Sequence, residues 1–467
     1  MMKVSRRGLI GGAAALAMGG LPGARAAEAS ALRIVKRTLE VKGRAASVYG
    51  LVNANGRPGL DLAFGDPFRV RLRSEIDVET LVHWHGLTPP AAQDGVPMLS
   101  QPPLRPGQSY DYDFPVGRAG THWMHSHVGL QEQQLLAAPL IVRETRDQVF
   151  DEQEHVVLLH DFTFRDPTEI LAELRGGGGA HAGHAGMAMD HSKMAMGGML
   201  NDVVFDAYLA NDRTLDDPEV VAVEKGGRLR LRIINGAAAS NMWIDLGRLS
   251  GTLVAVDGNA VHPVKASVFP LAIAQRADIR LDIPAEGGAF PVLFRPEGVT
   301  AFTGIVLASP GSPVARVAAE GDAAPALDLS FEARLSSVGQ LPEEPVTRSE
   351  TLMLTGGGAD YLWGLNGKSG MHENLFTVRH GERIEVIMHN MTGMAHPMHL
   401  HGHYFKVTAI DGRRIDGALR DTVLVPTGQT VSIMFDADNP GTWAFHCHHI
   451  YHMNSGMMGA IGYSQAA

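Results

Sequence analysis

The chain has 467 residues, 45% hydrophobic and 19% charged, with a formal charge of −10. That length suggests two to four domains, and the acidic balance argues against nucleic acid or an anionic membrane surface as partners. The 54 glycines and 26 prolines favour many short strands over long helices, and a single cysteine, Cys447, excludes an internal disulfide.

Residues 1–26 read as an export signal. Ser5-Arg6-Arg7 precedes an apolar run from Gly8 to about Leu21, and Ala24-Arg25-Ala26 has the small-residue pattern of a cleavage site. The arginine pair is similar to a twin-arginine (Tat) signal, which implies the Tat export machinery as a partner and a periplasmic location. A chance pair ahead of a Sec signal is the alternative. The run is short for a membrane-spanning helix, and no later segment resembles one.

The remainder alternates apolar and polar residues between Gly, Pro, Asn and Asp breaks, with one short helix expected around Pro167 to Leu174. A glycine followed by an alternating strand recurs at Gly65, Gly227 and Gly381. Gly107-Gln108 and Gly428-Gln429 each precede a Gly-Thr pair by 13 residues, and each Gly-Thr precedes a histidine (His125, His446) by five. Gly65 and Gly381 each lie 18 residues before a histidine, His83 and His399. The middle copy has Ser240-Asn241-Met242-Trp243 in the matching place. The repeat predicts three related β-sandwich domains over 30–147, 148–312 and 325–467, with the chemistry in the outer two and the middle one a spacer or lid. One tract departs from the pattern. Residues 176–199 open with four glycines and carry His181, His184, Met187, Met189, His191, Met194, Met196 and Met199, with almost no bulky aliphatic content. This reads as a flexible loop whose soft thioethers suit transient Cu(I) binding, against an inert linker.

Four histidine clusters stand out: His83-Trp84-His85, His125-Ser126-His127, His396-Pro397-Met398-His399-Leu400-His401, and His446-Cys447-His448 with His452 and Met457. Residues i and i+2 of a strand share a face, so each H-x-H offers two imidazoles together. Four converging pairs are too many for one metal and suit a cluster of two or three. Cys447 points the other way, and a thiolate with two imidazoles and a weak methionine suits a blue copper site, so it can bind a separate copper with His396, His452 and Met457.

Taken together these segments resemble the copper signatures of the multicopper oxidase family, over essentially the whole chain beyond the signal. The resemblance implies three cupredoxin-like Greek-key domains and four copper ions. It places type 1 copper at His396, Cys447, His452 and Met457, and type 2 at His83 and His399. The type 3 pair falls at His85, His125, His127, His401, His446 and His448. It implies one-electron oxidation of a donor, transfer through Cys447, and reduction of O2 to water. Asp94, in Asp94-Gly95-Val96-Pro97, resembles the acid beside the three-copper site; the alternative is a turn aspartate before glycine. Some relatives carry a glutamate directly after the second type 1 histidine, where this chain has Met453. His127 followed by Gly129-Leu130-Gln131-Glu132-Gln133 is similar to the bacterial copper-resistance (CopA-like) and cuprous oxidase branch. That branch implies Cu(I) as donor, beside small phenols or aromatic amines; a general laccase or a copper-free cupredoxin scaffold are the other readings. His403 and His449 adjoin the ligand segments, Trp84, Trp123 and Trp443 read as site walls, and Met98 and Met458 as core or pocket filler.

Overall fold

A computed structural model describes residues 29–144, 151–176, 200–339, 341–342, 344–370 and 374–464. The signal over 1–26 and the Met/His tract from residue 177 onward lie outside the described residues. The fold is three cupredoxin-like β-sandwich domains, each with two sheets around its own apolar cluster.

The internal repeat is visible in the strand pairing. In the first domain, strand Pro67–Ser74 lies parallel to the domain's opening strand Ser30–Val41. Arg228–Asn235 lies parallel to Gln153–Phe162 in the second, and Arg383–Asn390 parallel to Arg348–Gly357 in the third. These are the three strands that follow the repeated glycines. Their inward residues, such as Phe68, Val70 and Leu72, or Leu229, Leu231 and Ile233, are fully buried, as period-2 patterning requires.

The second sheet of each outer domain carries the histidines. His83 pairs with His125 across the antiparallel strands Val82–His83 and Gly120–Ser126. His399 pairs with His446 across His396–Leu400 and Thr442–Cys447. The equivalent strands of the middle domain, Met242–Asp245 and Ala289–Pro296, carry no histidine. The expected helix spans Pro167–Arg175; Asp166 caps it by accepting from the Thr168 amide at 2.8 Å, and Pro167 takes the first turn.

The middle domain is more than a spacer. Arg276, fully buried, donates to both carboxylate oxygens of Asp421 in the third domain, at 2.7 and 2.6 Å, and to the Thr121 carbonyl of the first at 3.1 Å. Asp257 accepts from the Arg276 amide at 2.8 Å and from Arg420 at 3.0 Å. One guanidinium therefore ties three domains together, and removing one partner of a buried ion network leaves the others uncompensated. Arg276→Met is expected to cost about 3–5 kcal/mol, read as a lower thermal midpoint of the metal-free protein; an unchanged midpoint would refute the bracing role.

Candidate metal centre

The structure brings ten of the predicted ligand histidines and Cys447 into two neighbouring clusters, all of them buried. His83, His85 and His399 offer ring nitrogens within 4.8 Å of one another. So do His85, His125 and His448, and so do His127, His401 and His446. His396, Cys447 and His452 form the second cluster.

Hydrogen bonds fix which nitrogen of each ring faces inward. His83 donates through Nδ1 to the Asp94 carbonyl at 2.8 Å, and His399 through Nδ1 to the Asp421 carbonyl at 2.8 Å. Their Nε2 atoms are left buried without a partner. His401 donates through Nδ1 to Asp94 Oδ2 at 2.7 Å, and His446 through Nδ1 to the Cys447 carbonyl at 3.0 Å. Their Nε2 atoms then face each other at 2.9 Å. The Nε2 atoms of His125 and His448 face at 3.3 Å, and His127 Nε2 lies 3.4 Å from His446 Nε2. His85 is turned round: Nε2 donates to Asp421 Oδ1 at 3.0 Å, and Nδ1 is the orphan. Two unprotonated ring nitrogens cannot hydrogen-bond to each other, so these lone pairs call for a cation. Neutral imidazole is the ligand form copper takes, and the donor set fits it.

The second cluster is a thiol with two imidazoles. Cys447 Sγ lies 3.5 Å from His396 Nδ1 and 3.8 Å from His452 Nδ1, and those two nitrogens are 3.2 Å apart. Met457 is fully buried, and its backbone is bonded to both: its carbonyl accepts from the Cys447 amide and its amide donates to the His452 carbonyl, each at 3.0 Å. His396 Nε2 meets Thr392 Oγ1 at 2.7 Å, and His452 Nε2 meets Asp202 Oδ2 at 3.2 Å. His449 stacks on His452 with centroids 3.7 Å apart, and Trp363 covers the same ring at 4.1 Å.

Asp94 is 2% exposed, with Oδ1 3.3 Å from His83 Nδ1. Gly95 makes this possible: its φ is +83°, and a Cβ there would meet the Val82 carbonyl oxygen at 1.8 Å. Trp123 stacks on His125 at 4.3 Å, and Trp443 and Tyr463 pack on His403, whose Nδ1 donates to the His401 carbonyl at 3.0 Å. Met458 is buried as expected, but Met98 is not core filler: it is 74% exposed, on a turn with φ +64°. Sequence reasoning missed Asp421, Glu132, Asp202 and Thr392, which touch ligand rings. Glu132 alone had a signal, lying in the segment Gln131-Glu132-Gln133.

Burial, reinforced by neighbouring rings, holds His85, His125, His127, His396, His399, His401 and His448 well below the usual histidine range. It lowers His446 to about 3 and His452 to about 4. Burial pushes the Cys447 thiol and the Glu132 carboxyl up.

Three sequence profiles described as multicopper oxidase match residues 34–147, 153–307 and 343–466. The chain belongs to the multicopper oxidase family: it is an oxidase whose cofactor is copper of types 1, 2 and 3. It is 31% identical over 430 residues to multicopper oxidase MmcO of Mycobacterium tuberculosis, covering 89% of this chain and 83% of that one. It is 26% identical over 612 residues to copper resistance protein A of Pseudomonas syringae pv. tomato, covering 97% and 98%. A multicopper oxidase crystal structure from Pseudomonas thermotolerans superposes with a TM-score of 0.71 at 25% identity, covering 93% and 98%.

The lowered histidines give the metal-free protein a definite pH dependence. Below about pH 6.5 the unfolded chain takes up protons that the folded one refuses down to about 4 at His452. Folded stability therefore falls as pH falls through that window. Glu132, Asp257 and Glu297, whose carboxyls burial raises, act in the opposite sense but are outnumbered by the lowered histidines. The thermal midpoint of metal-free protein is expected to drop steadily from pH 7 toward 4; a flat midpoint would contradict the neutral tautomers.

Proposed function

We propose that this chain is a periplasmic, Tat-exported cuprous oxidase of copper tolerance. It takes electrons singly from Cu(I), or from small phenols and aromatic amines, and passes them to O2. In this reading His396, Cys447, His452 and Met457 hold type 1 copper, and His83 and His399 hold type 2. His85, His125 and His448 hold one ion of the type 3 pair, and His127, His401 and His446 hold the other. Bound copper supplies one-electron redox chemistry at the thiolate site and four-electron reduction of O2 at the three-metal site.

The chain's own residues set up the rest. Cys447 sits between His446 and His448, so the two sites are joined through adjacent residues of one strand. Burial of both clusters excludes bulk water. Asp94, bonded to His401 Nδ1 through Oδ2, is the acid placed to hold a proton beside the cluster. Among the described residues no helix is long and apolar enough to cross a membrane.

One observation carries the choice of Cu(I) as donor. The described residues on both sides of the Met/His tract are fastened to the His452 segment. Before the tract, Arg175 Nη2 donates to the Asn454 carbonyl at 2.5 Å. After it, Asp202 lies 3.2 Å from His452 Nε2. The described residues flanking this tract thus lie beside the type 1 ligands, and the tract's His181, His184, Met187, Met189, His191, Met194, Met196 and Met199 supply soft donors that suit transient Cu(I). Deleting residues 181–199 is expected to lower Cu(I) oxidation at limiting substrate about tenfold, as loss of ~1.4 kcal/mol of donor binding would, with oxidation of a diffusible dye nearly unchanged. Equal loss of both would leave a general laccase. Cys447→Ser is expected to abolish the visible thiolate–copper absorption of loaded protein, and its survival would defeat the type 1 assignment.

A further inference from the structure

We infer that Glu132 is a positioning residue of the histidine cluster, clamping His125 of the first domain to His448 of the third. The inference rests on the copper ligands proposed above. Glu132 Oε2 lies 2.8 Å from His125 Nδ1, and Oε1 lies 3.7 Å from His448 Nδ1. Neither Glu132 Oε1 nor His448 Nδ1 has any hydrogen-bond partner, so the two unsatisfied atoms face each other. The same two rings present Nε2 atoms 3.3 Å apart on their far side. His125 Nδ1 also donates to the Ser126 carbonyl at 3.1 Å, so the carboxylate behind both rings reinforces the outward N–H of His125 and is the one acceptor facing that of His448. This is how a carboxylate behind a metal-bound histidine fixes tautomer and ring angle.

The flanking glutamines hold the carboxylate in place. Gln131 accepts from Thr80 Oγ1 and Ser126 Oγ, both at 2.8 Å, and donates to the Glu79 carbonyl at 2.8 Å. Gln133 donates to the Asp161 carbonyl of the middle domain at 3.1 Å and accepts from Tyr451 of the third at 3.3 Å. All three residues are buried. The segment is pinned to three domains, and Glu132 is left aimed at the cluster. Glu132 thus brings a buried carboxylate to the cluster from the first domain.

Among the described residues, the charge-bearing or titratable groups within 4 Å of the Glu132 carboxylate are the neutral rings of His125 and His448. A buried carboxylate so placed draws its compensating charge from whatever cation those imidazoles hold. The clamp therefore favours the loaded protein and burdens the metal-free one. Glutamine cannot replace it, because its one carbonyl oxygen accepts while its amide turns a donor toward the other ring.

The test compares wild type, Glu132→Gln and Glu132→Ala after copper loading, by copper content under chelator challenge, visible absorption and thermal midpoint of the metal-free forms. Both variants are expected to keep the visible Cys447 band. They should lose cluster copper to the chelator roughly 10–100-fold more readily, and metal-free Glu132→Gln should melt at or above wild type. Wild-type copper retention in both variants overturns the clamp. So does a metal-free midpoint well below wild type, which would make Glu132 a brace of the fold. Wild type that itself retains no cluster copper defeats the ligand assignment, and the clamp with it.

Discussion

The arrangement of this protein depends on one unfavourable confrontation: ring nitrogens whose protons have been pulled away are held a few ångströms apart, lone pair toward lone pair. His401 and His446 approach to 2.9 Å at Nε2, each already committed through Nδ1. Nothing in water would hold two imidazoles so. The cost is met by packing that cannot relax: two strand pairs in register, His125 stacked on Trp123, and carbonyl or carboxylate acceptors behind the N–H groups of His83, His399, His401 and His446. The copper site is thus a defect the fold maintains and the metal relieves, which is preorganisation stated in terms of hydrogen bonds.

The domain repeat explains why such a site lies at a junction. Each outer domain offers histidines from the same two strands of its second sheet, and facing the two sets together doubles the ligand count. The middle domain kept the strands without the histidines, yet it is not passive. Arg276 reaches Asp421, and Asp421 in turn touches His85 through its carboxylate and His399 through its carbonyl. A chain of buried charge runs from a domain with no ligand to the rings that have one.

How much of this was legible in the sequence follows from distance along the chain. The H-x-H pairs, the Cys447 alternation and the capped helix at Pro167 are local patterns, and each appears where the spacing put it. The three-fold repeat was readable because glycine positions and strand periods recur. The carboxylates behind the rings were not readable. Asp421 lies 336 residues from His85, and Asp202 lies 250 from His452, with no periodicity to link them. Met98 misled because an apolar residue beside a ligand segment reads as filler, whereas its left-handed backbone turns it outward.

The pairing of His127 with His446 spans 319 residues. A chain cut short of His446 would keep His83, His85, His125, His127, His399 and His401 but lose His446, His448 and the Cys447 thiol. Such a fragment could hold copper loosely but could not complete an oxidase. The redox centre therefore exists only once the third domain has closed on the first, so each half of the site is silent until the other has folded against it.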